Sequence, residues 1–335
     1  MKTKTVTKKK DSTTMKLTAS SATEKQTAEL KKSKSSSFEE LMTSLTESIE
    51  NGRQEDVKRA ISSVITHEFG GKEWDHIFSK YHVLIQYDDT TMKRIDADNI
   101  YRALKKSGSA KEKEILLILY SFGGDIASAY LISKLCREYT KKRFIIAIPR
   151  MAKSAATLIC CGGDEIHMGS LSELGPLDPQ INRLPALGLK NTIRQIAETV
   201  SEFPKASHLF AEYLAKTIPA IDFGYYDRIV DTASQYARRL MLKRCNKPKD
   251  CDIQKITTRL VYDYSDHGFV IDKSEAMEIF GRDVVKIDTE EYSFANAIYS
   301  LLRLMDRVCE PKYKFYFIGK YDAINSVGLI PAKKT

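Results

Sequence analysis

No run of eighteen or more apolar residues occurs in the chain, which speaks against a membrane-spanning helix. The lysine-rich start, MKTKTVTKKKDSTTMK, has no apolar stretch of the kind a secretory signal needs, so the expectation is a cytoplasmic, soluble protein. Glycine (16) and proline (9) are too sparse in 335 residues for a collagen-like or low-complexity chain. No CxxC pair with metal spacing exists among Cys136, Cys160, Cys161, Cys245, Cys251 and Cys309. Cys160 and Cys161 are adjacent in an apolar run, where buried reduced thiols are the default, and this usage fits a reducing compartment. With 42% apolar and 29% charged residues, the chain has the balance of a globular protein that needs no disulfide or metal staple.

Basic charge is abundant but unevenly placed. Residues 1–36 hold ten lysines against three acids, a surplus of +7 out of the overall +9, so the remainder carries only +2. This segment is rich in Lys, Ser and Thr and too polar to pack, so it reads as a disordered, solubilising tail. Contact with a nucleic acid or an anionic membrane surface would run through these residues alone.

From Phe38 to about Thr66, Leu41, Leu45, Ile49, Val57, Ile61 and Ile65 recur at helical spacing, with Gly52 a candidate break; 37–80 is therefore a helical N-terminal extension. His67, His76 and His82 show no ligand spacing. From Tyr81 onward strand, turn and helix alternate. HVLIQYDD, EILLILY, KRFIIAIP and DEIHMG are strand candidates, the second a continuous apolar run of the kind buried on both faces of a parallel sheet. Helices follow DADN and SFGGD, so the class is α/β. Residues 190–244 read as mostly helical, broken near Pro204 and Pro219–Gly224. Helices IQKITTRLVYDY and SEAMEIF, strand DVVKI, a helix over Phe294–Met305 and strand KYKFYFIGKYD follow.

Two junctions carry chemistry. Ser121-Phe122-Gly123-Gly124-Asp125 joins a buried strand to a helix, and paired glycines there allow a tight turn that exposes an N–H; alone they signal only a turn. Ala152-Lys153-Ser154-Ala155-Ala156-Thr157 is a second strand-to-helix junction. Its serine is flanked by small residues and sits where amide N–H groups and the helix dipole favour an oxyanion, although a helix N-cap is the simple role for such a serine.

Together with SELGPLDPQIN and HGFVIDKSEA, the stretches SFGGDIASA and IPRMAKSAATLICCGGDEIHMG resemble the serine dehydrogenase proteinase family of the Clp/crotonase fold, related to signal peptide peptidase A. The resemblance covers residues 81–305 and implies a repeated β-β-α spiral, with 306–335 a strand-containing C-terminal extension. Phe122 stands where S-P-G-G is more usual, and Ala156 where A-G-T is common. The implied activity is that of a serine peptidase acting on peptides or unfolded polypeptides, with Ser154 as nucleophile and the N–H groups of Gly124 and Ala155 as oxyanion hole.

A serine needs a base. Clp-type peptidases use His and Asp, and signal peptide peptidase A-type enzymes a Lys. No His stands at the Clp-type position, which falls near Asp178, whereas His267 stands in the corner where the Clp-type Asp is expected. An exchanged arrangement of Ser154, His267 and Asp178 follows, with Lys205 as the alternative base and Lys216 a second one. Lys153 adjoins Ser154, and neighbouring side chains usually point apart. His167 reads as a core or edge residue, and Asp178 could equally fix its own turn. Tyr225 and Tyr226 are candidates for a peptide groove, with aromatic packing the simpler reading.

No cofactor or metal is expected, since SFGGD is no dinucleotide fingerprint. The resemblance implies a homo-oligomer; it names no ATPase partner. Two other functions share the fold: a non-catalytic assembly or adaptor, and an acyl-CoA enzyme in which paired N–H groups hold a thioester enolate.

Overall fold

A computed structural model describes residues 37–106, 112–178, 180–181, 184–217, 220–245, 248–310 and 312–332; the 1–36 segment lies outside them. The helical pattern of the extension resolves into α1 (37–51) and α2 (Gln54–Phe69), separated at Gly52, whose φ of +74° favours glycine. A short α3 (Asp75–Lys80) leads into β1 (Tyr81–Asp88).

The parallel sheet is then wound by crossovers through α4 (Arg94–Lys106), β2 (Glu114–Ser121), α5 (Ile126–Glu138), β3 (Phe144–Ile148), β4 (Met151–Ala152), α6 (Ala155–Cys160), β5 (Glu165–Met168) and β6 (Glu173–Leu174). A strand, a short second strand and a helix thus recur: β3–β4–α6, then β5–β6 followed by α7 (Ala186–Glu202) beyond the small β7 (Gln180–Ile181) and β8 (Leu184–Pro185) hairpin. This is the mixed α/β spiral expected. Helices α8 (Ser207–Thr217), α9 (Ala220–Met241), α10 (Asp250–Tyr262) and α11 (Lys273–Phe280) come next, then β9 (Val285–Ile287), α12 (Glu290–Cys309), β10 (Tyr313–Lys320) and β11 (Val327–Pro331).

The main path of the sheet runs β11-β10-β1-β2-β3-β5-β9. Strands β1, β2, β3, β5 and β9 are parallel, and β10 and β11 add an antiparallel edge. The short β4 and β6 branch from the end of β2, where Ser121 pairs with Ala152.

Period-two alternation explains why the apolar runs are continuous. Leu116, Ile118 and Tyr120 of β2 face a core with Val83, Ile85, Tyr87, Phe69 and Phe294, whereas Ile115, Leu117 and Leu119 face a second core with Leu84, Ile100, Ala129 and Leu158. Helices cover both faces, so neither set of side chains meets water.

Three sequence expectations change. The boundary at residue 306 falls inside α12, and β10 and β11 belong to the main sheet because the backbone of β10 pairs with β1 while Tyr313, Phe315 and Phe317 enter the core. Helices α1 and α2 likewise supply Leu45, Val57, Ile61 and Phe69 to the core beneath α12, so 37–80 is built into the fold. Helix α9 runs through Gly224, so Tyr225 and Tyr226 lie within a helix; their side chains are outside the described residues.

Candidate active site

Ligand sites in parallel sheets form beyond the carboxyl ends of the strands. Here that end carries a cleft of about 450 Å³ whose lining includes Gly123, Gly124, Ser154, Ala155 and His267. Four segments build it.

The first is the turn after β2. Gly123 and Gly124 have φ of +98° and +142°, and a Cβ at Gly123 would lie 2.7 Å from the Lys153 carbonyl oxygen and 2.9 Å from Ser154 Cβ, so no other residue fits there undisturbed. Asp125 caps α5 by accepting the Ser128 N–H at 2.8 Å.

The second is the loop after β1, from which Thr90 and Thr91 line the cleft. Met92 donates its N–H to the Gly123 carbonyl at 2.8 Å and accepts the Asp125 N–H at 3.0 Å. Residues 123 and 125 thus turn their bonding groups toward Met92, and the Gly124 N–H points the other way. Sequence reading did not single out this loop; its position after the carboxyl end of a buried strand was the available signal.

The third is the turn from β4 into α6. Ser154 adopts φ +51°, ψ −119°, a conformation costly for any residue with a Cβ. Its side chain makes no capping bond to the helix, so the simple N-cap role does not hold, and the hydroxyl is left at the cleft. Neither the Gly124 nor the Ala155 N–H donates a hydrogen bond among the described residues. The Thr157 hydroxyl lies 2.7 Å and 2.8 Å from the carbonyl oxygens of Ala152 and Gly175 and accepts the Gly175 N–H at 3.1 Å, tying this turn to the fourth segment. The far end of α6 is held by buried Arg244, which donates to the carbonyls of Cys161 and Cys160 at 2.9 Å and 3.1 Å. Cys160 and Cys161 are free and fully buried, as their apolar run suggested; burial raises both thiols, Cys161 to about 12.

The fourth brings Asp178 and His267 together. Leu174 and Ile271 exchange N–H···O bonds of 2.9 Å and 3.1 Å, and Leu177 donates to the Leu260 carbonyl at 2.8 Å. These bonds place Asp178 with its oxygen Oδ2 4.0 Å from His267 Nδ1. His267 sits in a turn that its neighbours close, since Gly268 donates to the Asp266 carboxylate at 3.1 Å and Phe269 to the Asp266 carbonyl at 3.1 Å. The Asp178 side chain is 8% exposed and that of His267 25%, so the pair runs from the interior to the cleft.

The lysines fall elsewhere. Lys205 is exposed in a short 3₁₀ turn (Pro204–Ala206), and Lys216 is exposed on α8 and pairs with Glu212 at 2.7 Å; neither lines the cleft. The Lys153 ammonium turns away from Ser154 to Glu173, at 2.8 Å, and to two carbonyls. His167 is buried at β5 between Thr289, at 2.7 Å, and Glu165, at 3.2 Å. Among the described residues no cluster of His, Cys, Asp and Glu could hold a metal, and no helix is long and apolar enough to cross a membrane.

Residues 88–235 match the family model of the ClpP-like SDH-type serine proteinases. Two uncharacterized proteins of Methanocaldococcus jannaschii are similar to the chain. One is 27% identical over 211 residues, which are 62% of this chain and 64% of that protein; the other is 32% identical over 107 residues, 32% of this chain and 36% of that one. The chain therefore spans less than two thirds of the length of either relative. Among solved structures, a serine-to-alanine variant of a membrane-bound stomatin-specific protease aligns with 74% of this chain and 90% of its own, at 14% identity and a TM-score of 0.39. A lysine-to-alanine variant of the same protease, in complex with a substrate peptide, aligns with 76% and 88%, at 14% identity and a TM-score of 0.38.

Proposed function

We propose, from the match of residues 88–235 to the ClpP-like SDH-type serine proteinases, that the chain hydrolyses peptide bonds in peptides or unfolded polypeptides with Ser154 as nucleophile, His267 as base and Asp178 as its partner. The observation that carries the reading is the convergence of a serine hydroxyl in a strained turn, two undonated N–H groups and an imidazole on one cleft.

The Ser154 Oγ attacks the scissile carbonyl carbon while its proton passes to His267 Nε2, the ring nitrogen turned away from Asp178. The carbonyl π electrons move to oxygen, and the Gly124 and Ala155 N–H groups donate to that oxyanion. Because they donate to nothing else, they need no reorganisation to do so. Collapse of the tetrahedral species breaks the C–N bond, and the leaving amine takes the proton from the imidazolium. Water, deprotonated by the same imidazole, then attacks the acyl-enzyme and releases Ser154 with its proton restored. Asp178 Oδ2 lies 4.0 Å from Nδ1, and a shift of about 1 Å would bring it within hydrogen-bond reach to orient the imidazole.

A fluorophosphonate probe tests the reading. The parent should be labelled at Ser154, Ser154→Ala should not be labelled while keeping its fold, and peptide hydrolysis should fall by at least about 10⁴-fold in Ser154→Ala and in His267→Ala. A parent that is not labelled would favour the adaptor function of the same fold.

A further inference from the structure

Lys153 stands beside the nucleophile yet outside the cleft lining. Its side chain is 13% exposed and runs along the chain at Gly175, where an added Cβ would lie 2.8 Å from Lys153 Cδ. The ammonium ends among three acceptors: Glu173 Oε2 at 2.8 Å, the Phe269 carbonyl at 3.1 Å and the Leu174 carbonyl at 3.2 Å. Three acceptors match the three donors of an ammonium, so the side chain is held between these groups.

The acceptors belong to the two segments on which the base depends. Glu173 and Leu174 begin the stretch that reaches Asp178, and Phe269 follows the His267 turn. We propose that Lys153 is a positioning residue whose ammonium clamps the His267 turn and the Asp178 segment onto the turn that carries Ser154. The inference rests on the Ser154–His267 reading above. Among the described residues the direct backbone tie between the two segments is the Leu174–Ile271 pair, two residues beyond Phe269, so the clamp adds a contact closer to His267. Asp178 is the charged group paired with His267, Asp266 adjoins it in the chain and accepts from Gly268, and Asp125 lines the same cleft. A misplacement of about 1 Å in such a site costs on the order of 10²-fold in rate.

The test compares Lys153→Met, Lys153→Arg and Glu173→Gln in the full chain. Lys153→Met should lower kcat for a peptide by about 10- to 100-fold and leave KM within about twofold, because the side chain touches no substrate. Lys153→Arg should recover most of kcat, since a guanidinium keeps the charge and donors and does not give up a proton. Glu173→Gln should fall between. An unchanged kcat in Lys153→Met overturns the proposal. So does a Lys153→Arg variant with no activity, which would make Lys153 the base. Should Lys153→Met fail to fold, the other two variants decide alone: inactive Lys153→Arg or unaltered Glu173→Gln overturns it.

A second readout needs no activity. The ring-proton NMR signals of His267 should move and broaden in Lys153→Met while those of buried His82 and His167 hold. If the parent is not labelled at Ser154 but these signals respond, the peptidase reading falls and the clamp stands. If they do not respond, the clamp falls whatever the labelling shows.

Discussion

The two ends of the parallel sheet are built on opposite terms. At the amino end charged groups are matched. Arg143 donates to Glu114 at 2.7 Å and 3.2 Å and also to Glu165; Glu165 meets His167, and His167 lies 3.5 Å from Glu291, which accepts from Tyr81 at 2.6 Å and pairs with Lys80 at 3.3 Å. Asp164 accepts from Arg137, from the Phe144 N–H and from the Cys245 N–H. At the carboxyl end the backbone is strained at Ser154, and two N–H groups face a cleft without acceptors. Satisfied groups stabilise a fold, while unsatisfied and strained ones hold binding capacity in reserve. His167 shows the difference: it is embedded in the matched end, whereas the more exposed His267 lines the cleft at the other end.

That contrast can be broken deliberately. The largest effect should come from Gly123→Ala at the carboxyl end. A Cβ there meets the Lys153 carbonyl and Ser154, so Ser154 must move; we expect kcat to drop by at least about 10²-fold and stability by roughly 1–3 kcal/mol, read by peptide hydrolysis and denaturant unfolding. At the amino end Arg143→Met should do the reverse. It leaves Glu114 and Glu165 short of a partner and should cost roughly 1–3 kcal/mol, with kcat per folded molecule unchanged; a large loss of kcat would show that the ends are coupled.

Acid should separate the ends as well. The bond from His167, helped by Arg143, holds the Glu165 carboxyl below its ordinary value of 4.5 against the opposing effect of burial; in Glu291 burial is outweighed by the bond from Tyr81, a backbone bond, the nearby His167 and the bond from Lys80. A depressed carboxylate contributes stability that is present above the ordinary Glu pKa and lost as pH falls through its folded value, so the amino end should weaken below about pH 4.5. Asp96, at the start of α4 beside the cleft loop, is shifted the other way. Burial raises it to about 6, against the Lys93 N–H it accepts. Its ionisation therefore costs stability above about pH 6, a cost relieved as pH falls toward 4. Thermal unfolding of Asp96→Asn should lack that relief, and Glu165→Gln should lack the later loss. The smallest effect is expected from Lys205→Ala: activity within about twofold of the parent, since the residue is exposed and away from the cleft. A dead Lys205→Ala alongside an active His267→Ala would replace the imidazole with a lysine base.

Much of this fold was legible in short stretches. EILLILY reads as a strand covered on both faces because alternate side chains of β2 enter two different cores. SFGGD and AKSAAT read as strand-to-helix turns because glycine pairs and small residues have few other uses there. Less legible was the closing edge, since nothing in KYKFYFIGKYD says that it pairs with β1 rather than standing apart. The loop holding Thr90, Thr91 and Met92 was missed because its role is backbone pairing, which any residue type can supply.

Local sterics and burial periodicity act over a few residues, and so the sequence by itself determined the strands, the turns at Gly123–Gly124 and Ser154, and the presence of a serine beside a helix start. Which base meets that serine was a different matter: His267, Lys205 and Lys216 all had residue types able to accept a proton. The tertiary structure places His267 on the cleft and Lys205 and Lys216 away from it, because the Leu174–Ile271 and Leu177–Leu260 bonds bring distant segments together. The same path turns Lys153 from a neighbour of the nucleophile into a clamp on its partners, since its acceptors exist only once those segments have met.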